Sequence, residues 1–303
     1  MMNRPSVLCP VDFSGPSRGA LRYACALAGH FHGALTVATV NDPLLEHASD
    51  VYYGASWLKQ EALRELEAFV AQTLGARRQQ LAELQFEVAT GKPAPQILHI
   101  GAVRGADVIV MSTHGRTGVG KRLFGSTAER VLRETSIPVL ITPANAVGPE
   151  DLEQARRAIR AILAPIDFSE GTPQQVRVAA GAAAAFGASL TLTHVLEPLP
   201  EFGGDERFLA GLRHSRQAHA EHTLGDVLAD LPQTVHANLV TACGDAAAEI
   251  VHLAERCETD LIVMGLHASV GGGPRMGSVT YRVSCQAKTL VLALPPRQDG
   301  DRH

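Results

Sequence analysis

The sequence contains few aromatic residues and no regular cysteine pattern. Only 5% of its 303 residues are Phe, Trp or Tyr, and just one is Trp. The apolar fraction of 46% is dominated by Ala, Val, Leu and Ile, which favours helices packed on a sheet over a β-sandwich. The five cysteines are odd in number and lack CxxC spacing. We therefore predict small buried side chains in a reducing compartment, with neither a disulfide framework nor a zinc site.

The sequence also lacks a strong charge of either sign and a long apolar run. Its net charge of −4 argues against broad nucleic-acid binding. The first apolar run is interrupted by Pro10 and Asp12, unlike a secretory signal. The most apolar stretch, 176–196, carries Arg177 and His194, so it favours a helix and a strand over a membrane span. We expect a cytoplasmic protein that binds neither nucleic acid nor membrane.

An internal duplication organises the chain. The segment VLCPVDFS at 7–14 recurs as ILAPIDFS at 162–169, a shift of 155. Two further blocks, beginning at Gly91 and Gly125, recur at shifts of 153 and 152. Three collinear blocks at nearly constant offset indicate two homologous domains. The predicted domains are 1–145 and 158–297, and a polar linker is predicted at 146–157.

Strand and helix patterns alternate within each copy. The continuous apolar run that opens each copy is typical of a strand buried on both faces. The pattern predicts an α/β fold with two tandem, doubly wound, five-stranded parallel sheets of the Rossmann-like type. Ligands of such sheets bind beyond the carboxyl ends of the strands, where the strand order reverses. In the first copy, strands are predicted at 6–11, 34–40, 86–90, 107–112 and 137–142, and a long helix at 57–81.

Two strand ends of the first copy carry residues suited to a ligand. Asp12 follows the first strand, and a loop at 111–126 follows the fourth. This loop contains four glycines, three cations and several hydroxyls before a helix begins, a combination typical of a phosphate cradle. Two structural alternatives remain open. The segment Ser126-Thr127-Ala128-Glu129 is a capping box, which starts a helix without any ligand, and tight turns also require glycine.

The loop approaches, but does not match, a P-loop. Gly115, Gly120 and Lys121 have the required spacing, but Arg122 stands where Ser or Thr would bind magnesium. No GxGxxG fingerprint follows the first strand. A Walker-type NTPase and a dinucleotide-binding Rossmann domain are therefore disfavoured.

Carboxylates elsewhere give no catalytic pattern. Asp12 and its counterpart Asp167 have no partner base and no metal-ligand cluster at matching spacing, so we predict ligand hydrogen bonding, no catalytic residue and no metal site. Asp107 and Asp260 precede buried strands, and we expect them to cap loops there.

These motifs resemble those of the universal stress protein family, in its tandem form. The family's nucleotide signature is Gly-x2-Gly-x9-Gly-Ser/Thr after the fourth strand, with an Asp after the first. Here Ser112-x2-Gly115-x9-Gly125-Ser126 follows that spacing with Ser in place of the first Gly, and Asp12 occupies the Asp position. The resemblance covers nearly the whole chain and implies an adenine nucleotide alpha hydrolase-like fold. It also implies a stress-response or signalling module that binds ATP or a related adenine nucleotide, with or without magnesium.

The resemblance assigns roles to individual residues of the first copy. The residues implied around the adenine and ribose are Pro10, Val11, Asp12 and Val40. The residues implied at the phosphates or along their loop are Met111, His114, Gly115, Arg116, Gly118, Gly125, Ser126 and Thr127. The family also implies that the two domains pair within the chain as a pseudo-dimer. A homodimer of the whole chain and an unidentified protein partner are further expectations.

The second copy departs further from the signature. Ala268 replaces its second Gly, and the loop before Gly277 is one residue shorter. The residues that persist and define a second candidate site are Asp167, Val195, Gly265, Gly277 and Ser278. Residues 1–145 carry 14 basic and 12 acidic side chains, whereas 146–303 carry 13 and 19. We therefore predict that nucleotide binds mainly in the first domain. The alternatives are a slow ATPase that uses the same loop and a ligand-free structural dimerisation protein.

Overall fold

The computed structural model divides the chain into two compact units. The first unit is Met1–Ala158 with Ala268–Met276, and the second is Ile159–His267 with Gly277–His303. The residues that the structure describes are 4–113, 124–150, 152–199, 206–229, 231, 235–268, 274–275 and 277–296. Within these ranges, no helix has the length and apolar character needed to cross a bilayer.

Five parallel strands form the sheet of the first unit. They are β1 (Ser6–Pro10), β2 (Ala34–Asn41), β3 (Glu83–Thr90), β4 (Val108–Ser112) and β5 (Val139–Thr142). Their spatial order is β3-β2-β1-β4-β5, and each neighbouring pair is parallel. Central β1 is covered on both faces, since Val7, Leu8 and Cys9 are fully buried. The order reverses between β1 and β4, which places the switch point there.

Helices connect these strands and cover the sheet. They are α1 (Gly15–His30), α2 (Pro43–Tyr53), α3 (Trp57–Leu74), α4 (Pro93–Val103), α5 (Ser126–Glu134) and α6 (Leu152–Arg157). The helix predicted at 57–81 ends as an α-helix at Leu74, because Gly75 takes a positive φ of 55° and a 3-10 segment, Gly75–Gln80, follows. Helix α2 was not predicted, although Asp42 caps it by accepting a hydrogen bond from the Leu44 N–H at 2.7 Å.

The second unit repeats this alternation. Its strands and helices, in chain order, are β6 (Ala161–Pro165), α7 (Thr172–Phe186), β7 (Ser189–Leu196), α8 (Glu206–Ala229), β8 (Ala237–Cys243), α9 (Ala246–Arg256) and β9 (Leu261–Gly265). Its last helix and strand are α10 (Ser278–Gln286) and β12 (Leu290–Leu294). Between β9 and α10 the chain forms two two-residue strands, β10 (His267–Ala268) and β11 (Pro274–Arg275), and β11 lies in the segment assigned to the first unit. The five long strands are ordered β8-β7-β6-β9-β12 and are parallel. The prediction of two tandem α/β domains with parallel sheets is confirmed.

An aspartate fixes the start of the central strand in each unit. The Asp107 Oδ2 accepts a hydrogen bond from the Ser6 N–H at 2.8 Å. In the same way, the Asp260 Oδ2 accepts from the N–H groups of Arg160 and Ala161 at 2.7 and 3.1 Å. Both carboxylates therefore bind the start of the neighbouring central strand, and the expectation that they cap the loops before β4 and β9 stays a prediction.

The cysteines divide into buried and accessible thiols. Cys9 and Cys25 are buried, and burial raises the pKa of both thiols, that of Cys25 to about 11. Cys257 and Cys285 are only partly buried, and Cys243 is exposed because it ends β8 at the edge of the sheet. The prediction of buried side chains is therefore confirmed for the first pair and wrong for Cys243.

The start of the predicted linker packs against α1. The Arg22 Nη1 donates to the Val147 carbonyl oxygen at 3.0 Å. A Cβ on Gly19 would lie only 2.0 Å from the Ala146 carbonyl oxygen, so the backbone at 146 approaches α1 where glycine leaves room. The later part of the segment forms α6. The domain boundaries themselves remain a prediction.

We predict that Gly19→Ala lowers the Tm of the chain, whereas Gly181→Ala does not. The added methyl at Gly19 overlaps a backbone carbonyl, and such overpacking costs about 1–3 kcal/mol. A methyl at Gly181, on the exposed side of α7, meets no atom within 4 Å, and Ala is favoured over Gly inside a helix by about 0.5–1 kcal/mol. Thermal unfolding followed by circular dichroism measures both. Equal Tm values for the two variants would contradict the packing of Ala146 on α1.

Candidate functional site

The strands at the switch point separate towards their carboxyl ends. β1 pairs with β4 at two positions only, Val7 with Val108 and Leu8 with Ile109. The ends of both strands, at Pro10 and Ser112, lie beyond the last pair. We call the gap between these ends the first crevice, and the equivalent gap between β6 and β9 the second crevice. A crevice at the switch point is the usual ligand site of this architecture.

A tight turn holds Asp12 beside the first crevice. The Asp12 Oδ1 accepts hydrogen bonds from the Ser14 N–H at 3.1 Å and from the Ser14 hydroxyl at 2.5 Å. Ser14 in turn caps α1, since its Oγ accepts from the Ser17 N–H at 3.2 Å. Just before the turn, the Val11 N–H donates to the Ala38 carbonyl oxygen at 2.8 Å. The end of β1, the carboxylate and the start of α1 are thereby fixed together.

Strained backbone and aromatic packing define the same turn. Phe13 has a φ of 64°, a left-handed conformation that is unfavourable for a bulky residue. Its ring packs edge-to-face on Phe69 of α3, with ring centroids 5.4 Å apart. The Arg18 guanidinium lies 4.3 Å from the centroid of the Phe69 ring and donates to the Thr73 hydroxyl at 3.0 Å. These contacts hold the strained turn against α3, and nothing in the sequence pattern predicts them.

The glycine-rich loop after β4 has adjacent ends. The Gly125 N–H donates to the Thr113 carbonyl oxygen at 2.7 Å, and the Thr113 N–H donates to the Thr142 carbonyl oxygen at 3.2 Å. The loop therefore leaves β4 and enters α5 at nearly the same place, beside the end of β5.

The predicted capping box at Ser126 is wrong. The N-cap of α5 is Gly125, one residue earlier, because its hydrogen bond to Thr113 fixes the start of the helix there. Glycine has no side chain to accept the N–H groups of the first turn, and exposed Ser126 lies inside that turn. A helix start of this kind favours an anion.

The structure places eight of the predicted site residues at or just beyond the carboxyl edge of the first sheet. These are Pro10, Val11, Asp12, Val40, Met111, Gly125, Ser126 and Thr127. Val11 and Met111 are buried, and Val40 and Asp12 are partly buried. The remaining predicted residues, His114, Gly115, Arg116 and Gly118, lie outside the described residues.

Sequence reasoning missed Asn41 at the end of β2. Its Nδ2 is buried, yet it finds no hydrogen-bond acceptor in the part of the chain that the structure describes. A buried donor without a partner is costly unless a ligand satisfies it. The only available signal was a polar residue directly after Val40 at a strand end. The corresponding residue of the second unit is the apolar Leu196, paired with the end of β8.

The second unit conserves the backbone of this site. The Asp167 Oδ1 accepts from the Ser169 N–H at 3.0 Å and from the Thr172 hydroxyl at 3.5 Å. Phe168 has a φ of 58° and stacks on His194, with ring centroids 4.4 Å apart. The structure places Val195 near the end of β7 and Gly265 at the end of β9. Gly277 is the N-cap of α10, and exposed Ser278 begins that helix.

Charges at the carboxyl edges of the two sheets differ. In the second unit, Arg282 donates to both oxygens of Asp245 at 2.6 and 2.7 Å, and Asp245 caps α9 through the Ala248 N–H. The hydrogen bonds from Arg282, and then that from Ala248, hold the pKa of Asp245 below its usual range. In the first unit the N-cap residue of the corresponding helix is Lys92, a cation that cannot accept these hydrogen bonds. The first unit is therefore better suited to an anionic ligand at this edge.

The site offers hydrogen-bond donors and acceptors rather than a metal-binding set. Among the described residues, no three His, Cys, Asp or Glu side chains are grouped so as to hold a metal ion. A carboxylate, hydroxyls and helix N–H groups can orient a ligand that carries both hydroxyls and negative charge.

Comparison with known proteins matches two consecutive segments of the chain to one family. The model of the Universal stress protein family matches residues 3–143 and 158–295. The chain belongs to the universal stress protein family. This universal stress protein is 26% identical over 305 residues to a universal stress protein of Mycolicibacterium smegmatis. The aligned region covers 96% of this chain and 97% of the relative.

Other relatives agree with this assignment. A universal stress protein of Methanocaldococcus jannaschii is 31% identical over 146 residues, covering 45% of this chain and 79% of that protein. A crystal structure of a universal stress protein from Archaeoglobus fulgidus superposes with a TM-score of 0.65 at 21% identity, covering 97% of each chain. That likeness confirms the fold of a tandem universal stress protein.

We predict that Ser14→Ala destabilises this universal stress protein more than Ser169→Ala. Ser14 caps α1 and donates to Asp12, and the loss of an N-cap side chain costs about 1 kcal/mol. Ser169 occupies the same position of the second copy, but the N-cap of α7 is Gly171, so its side chain is not the cap. Urea denaturation of the two variants gives the change in the free energy of unfolding. An equal loss in both would contradict the capping role of Ser14.

Proposed function

We propose that this protein binds ATP or a related adenine nucleotide in its first unit and acts as a cytoplasmic stress-response or signalling module. The observation that carries the proposal is the first crevice, which lies between Asp12 on one side and the first turn of α5 on the other. The Asp12 carboxylate and the start of α5 belong to the two sequence motifs that match the family's nucleotide signature.

The residues around the first crevice fit the parts of a nucleotide. The Asp12 carboxylate can accept hydrogen bonds from ribose hydroxyls. The N–H groups at the start of α5, with the hydroxyls of Ser126 and Thr127, suit phosphate oxygens. The buried Asn41 Nδ2 offers a donor that the described protein leaves unused.

Apolar side chains suit the base. Pro10, Val11, Val40 and Met111 lie near the strand ends on which an adenine ring would rest. The loop cations, among them Arg116, are present in the sequence to offset the phosphate charge, and magnesium would enter with the phosphates. Pairing of the two domains remains a prediction from the family resemblance, and a homodimer and an unidentified protein partner remain further expectations.

We predict that Asp12→Ala weakens ATP binding by at least about tenfold, whereas Asp167→Ala leaves the affinity nearly unchanged. A hydrogen bond to a charged group contributes about 1.5–3 kcal/mol, and 1.4 kcal/mol is a factor of ten in Kd. Asp167→Ala is a matched control, because Asp167 forms the same turn in the second unit. Isothermal titration calorimetry with and without magnesium measures the affinity. Mass spectrometry of the denatured wild-type protein identifies any nucleotide that copurifies.

Three results discriminate the proposal from its alternatives. Absence of adenine nucleotide from the purified protein, together with no binding at millimolar ATP, would overturn it and favour a ligand-free structural protein. Equal effects of Asp12→Ala and Asp167→Ala would place the ligand elsewhere. Multiple-turnover phosphate release that Asp12→Ala and Gly115→Asp abolish would show a slow ATPase at the same site.

A further inference from the structure

A side-chain amide of the second unit bridges its own crevice. Gln175, on the first turns of α7, is only 4% exposed. Its Nε2 donates to the carbonyl oxygens of Pro165 at 2.6 Å and of Val263 at 2.9 Å. The pairing of β6 with β9 stops at Leu163 and Ile262, so both acceptors lie beyond the last pair. One amide thus joins the strand ends at the point where the crevice begins.

A second buried side chain binds the same strand end. Thr280, on the first turn of α10, is 2% exposed, and its hydroxyl donates to the Gly265 carbonyl oxygen at 3.1 Å. Gly265 also approaches Gln175, because a Cβ built on it would lie 3.5 Å from the Gln175 Oε1. The end of β9 is therefore enclosed by α7 and α10 together.

The first unit has only methyl groups at these two positions. The repeat shift of 155 aligns Ala20 with Gln175, and the shift of 152 aligns Ala128 with Thr280. Ala20 and Ala128 are buried like their counterparts, so the aligned positions face the interior in both units. An alanine side chain cannot donate a hydrogen bond, and the bridge is therefore a property of the second unit.

We propose that Gln175 and Thr280 close the second crevice and restrict the protein to one bound nucleotide per chain. A ligand entering that crevice would have to displace the Gln175 amide and remove its hydrogen bonds to the buried Val263 carbonyl and the partly buried Pro165 carbonyl, which is unfavourable. The two alanines impose no such requirement on the first crevice. The inference rests on the proposed nucleotide binding and adds which residues make the two copies unequal.

The test is the stoichiometry of ATP binding, measured by equilibrium dialysis of the full chain. We expect one ATP per wild-type chain. Replacing the bridge by the residues of the first unit, Gln175→Ala with Thr280→Ala, should raise the value to two. Gln174→Ala, a neighbouring change that spares the bridge, should leave it at one. Circular dichroism establishes that each variant is folded.

A reciprocal variant tests the inference even if the Gln175→Ala/Thr280→Ala variant is unstable. Ala20→Gln with Ala128→Thr should reduce binding to the first unit at least tenfold. Photolabelling of the wild-type chain with 8-azido-ATP should modify peptides of the first unit only. Two ATP molecules per wild-type chain would overturn the inference and leave the proposed function intact. A folded Gln175→Ala/Thr280→Ala variant that still binds one ATP molecule would do the same. No binding to any of these proteins would overturn both.

Discussion

The parallel ladder between the first and fourth strands of each copy ends after two residue pairs, and the candidate site depends on that constraint. In the first unit the ladder stops at Leu8 and Ile109, so the turn after β1 and the loop after β4 flank a gap instead of continuing a sheet. The turn is held by Asp12, Ser14 and the packing of Phe13 on α3. The hydrogen bond between Gly125 and Thr113 holds the far side of the gap. A crevice with polar groups on both sides follows from where two strands stop pairing.

Duplication preserved this backbone while the side chains diverged. Both copies keep a left-handed Phe after the aspartate, and both begin the following signature helix after an N-cap glycine. The side chains at equivalent positions of this backbone differ in charge and in hydrogen-bonding capacity. Lys92 in one copy corresponds to Asp245 in the other, where Arg282 neutralises it. Ala20 likewise corresponds to the bridging Gln175. One copy presents groups that suit an anion. In the other, Arg282 pairs with the Asp245 carboxylate, and the Gln175 amide binds two strand carbonyl groups.

Most of the fold could be predicted from the sequence, because buried parallel strands are continuous apolar runs and the duplication repeats their order. The edge strand β3 begins earlier than predicted, at Glu83, because it alternates polar and apolar residues. Helix α2 was missed because its apolar residues, such as Leu44 and Tyr52, are exposed and form no buried stripe. Asp12 and Ser126 could be found from motif spacing. The Gln175 bridge could not, since it joins residues 88 positions apart.

Hydrogen–deuterium exchange of the full chain, with and without saturating ATP, tests the central claim most directly. Because backbone amides report on each copy separately, the two crevices are compared within one molecule. The account predicts that ATP slows exchange at residues 11–14 and 125–128 and leaves the equivalent amides at 166–169 and 277–280 unchanged. Equal protection of both sets, or protection confined to the second, would contradict it.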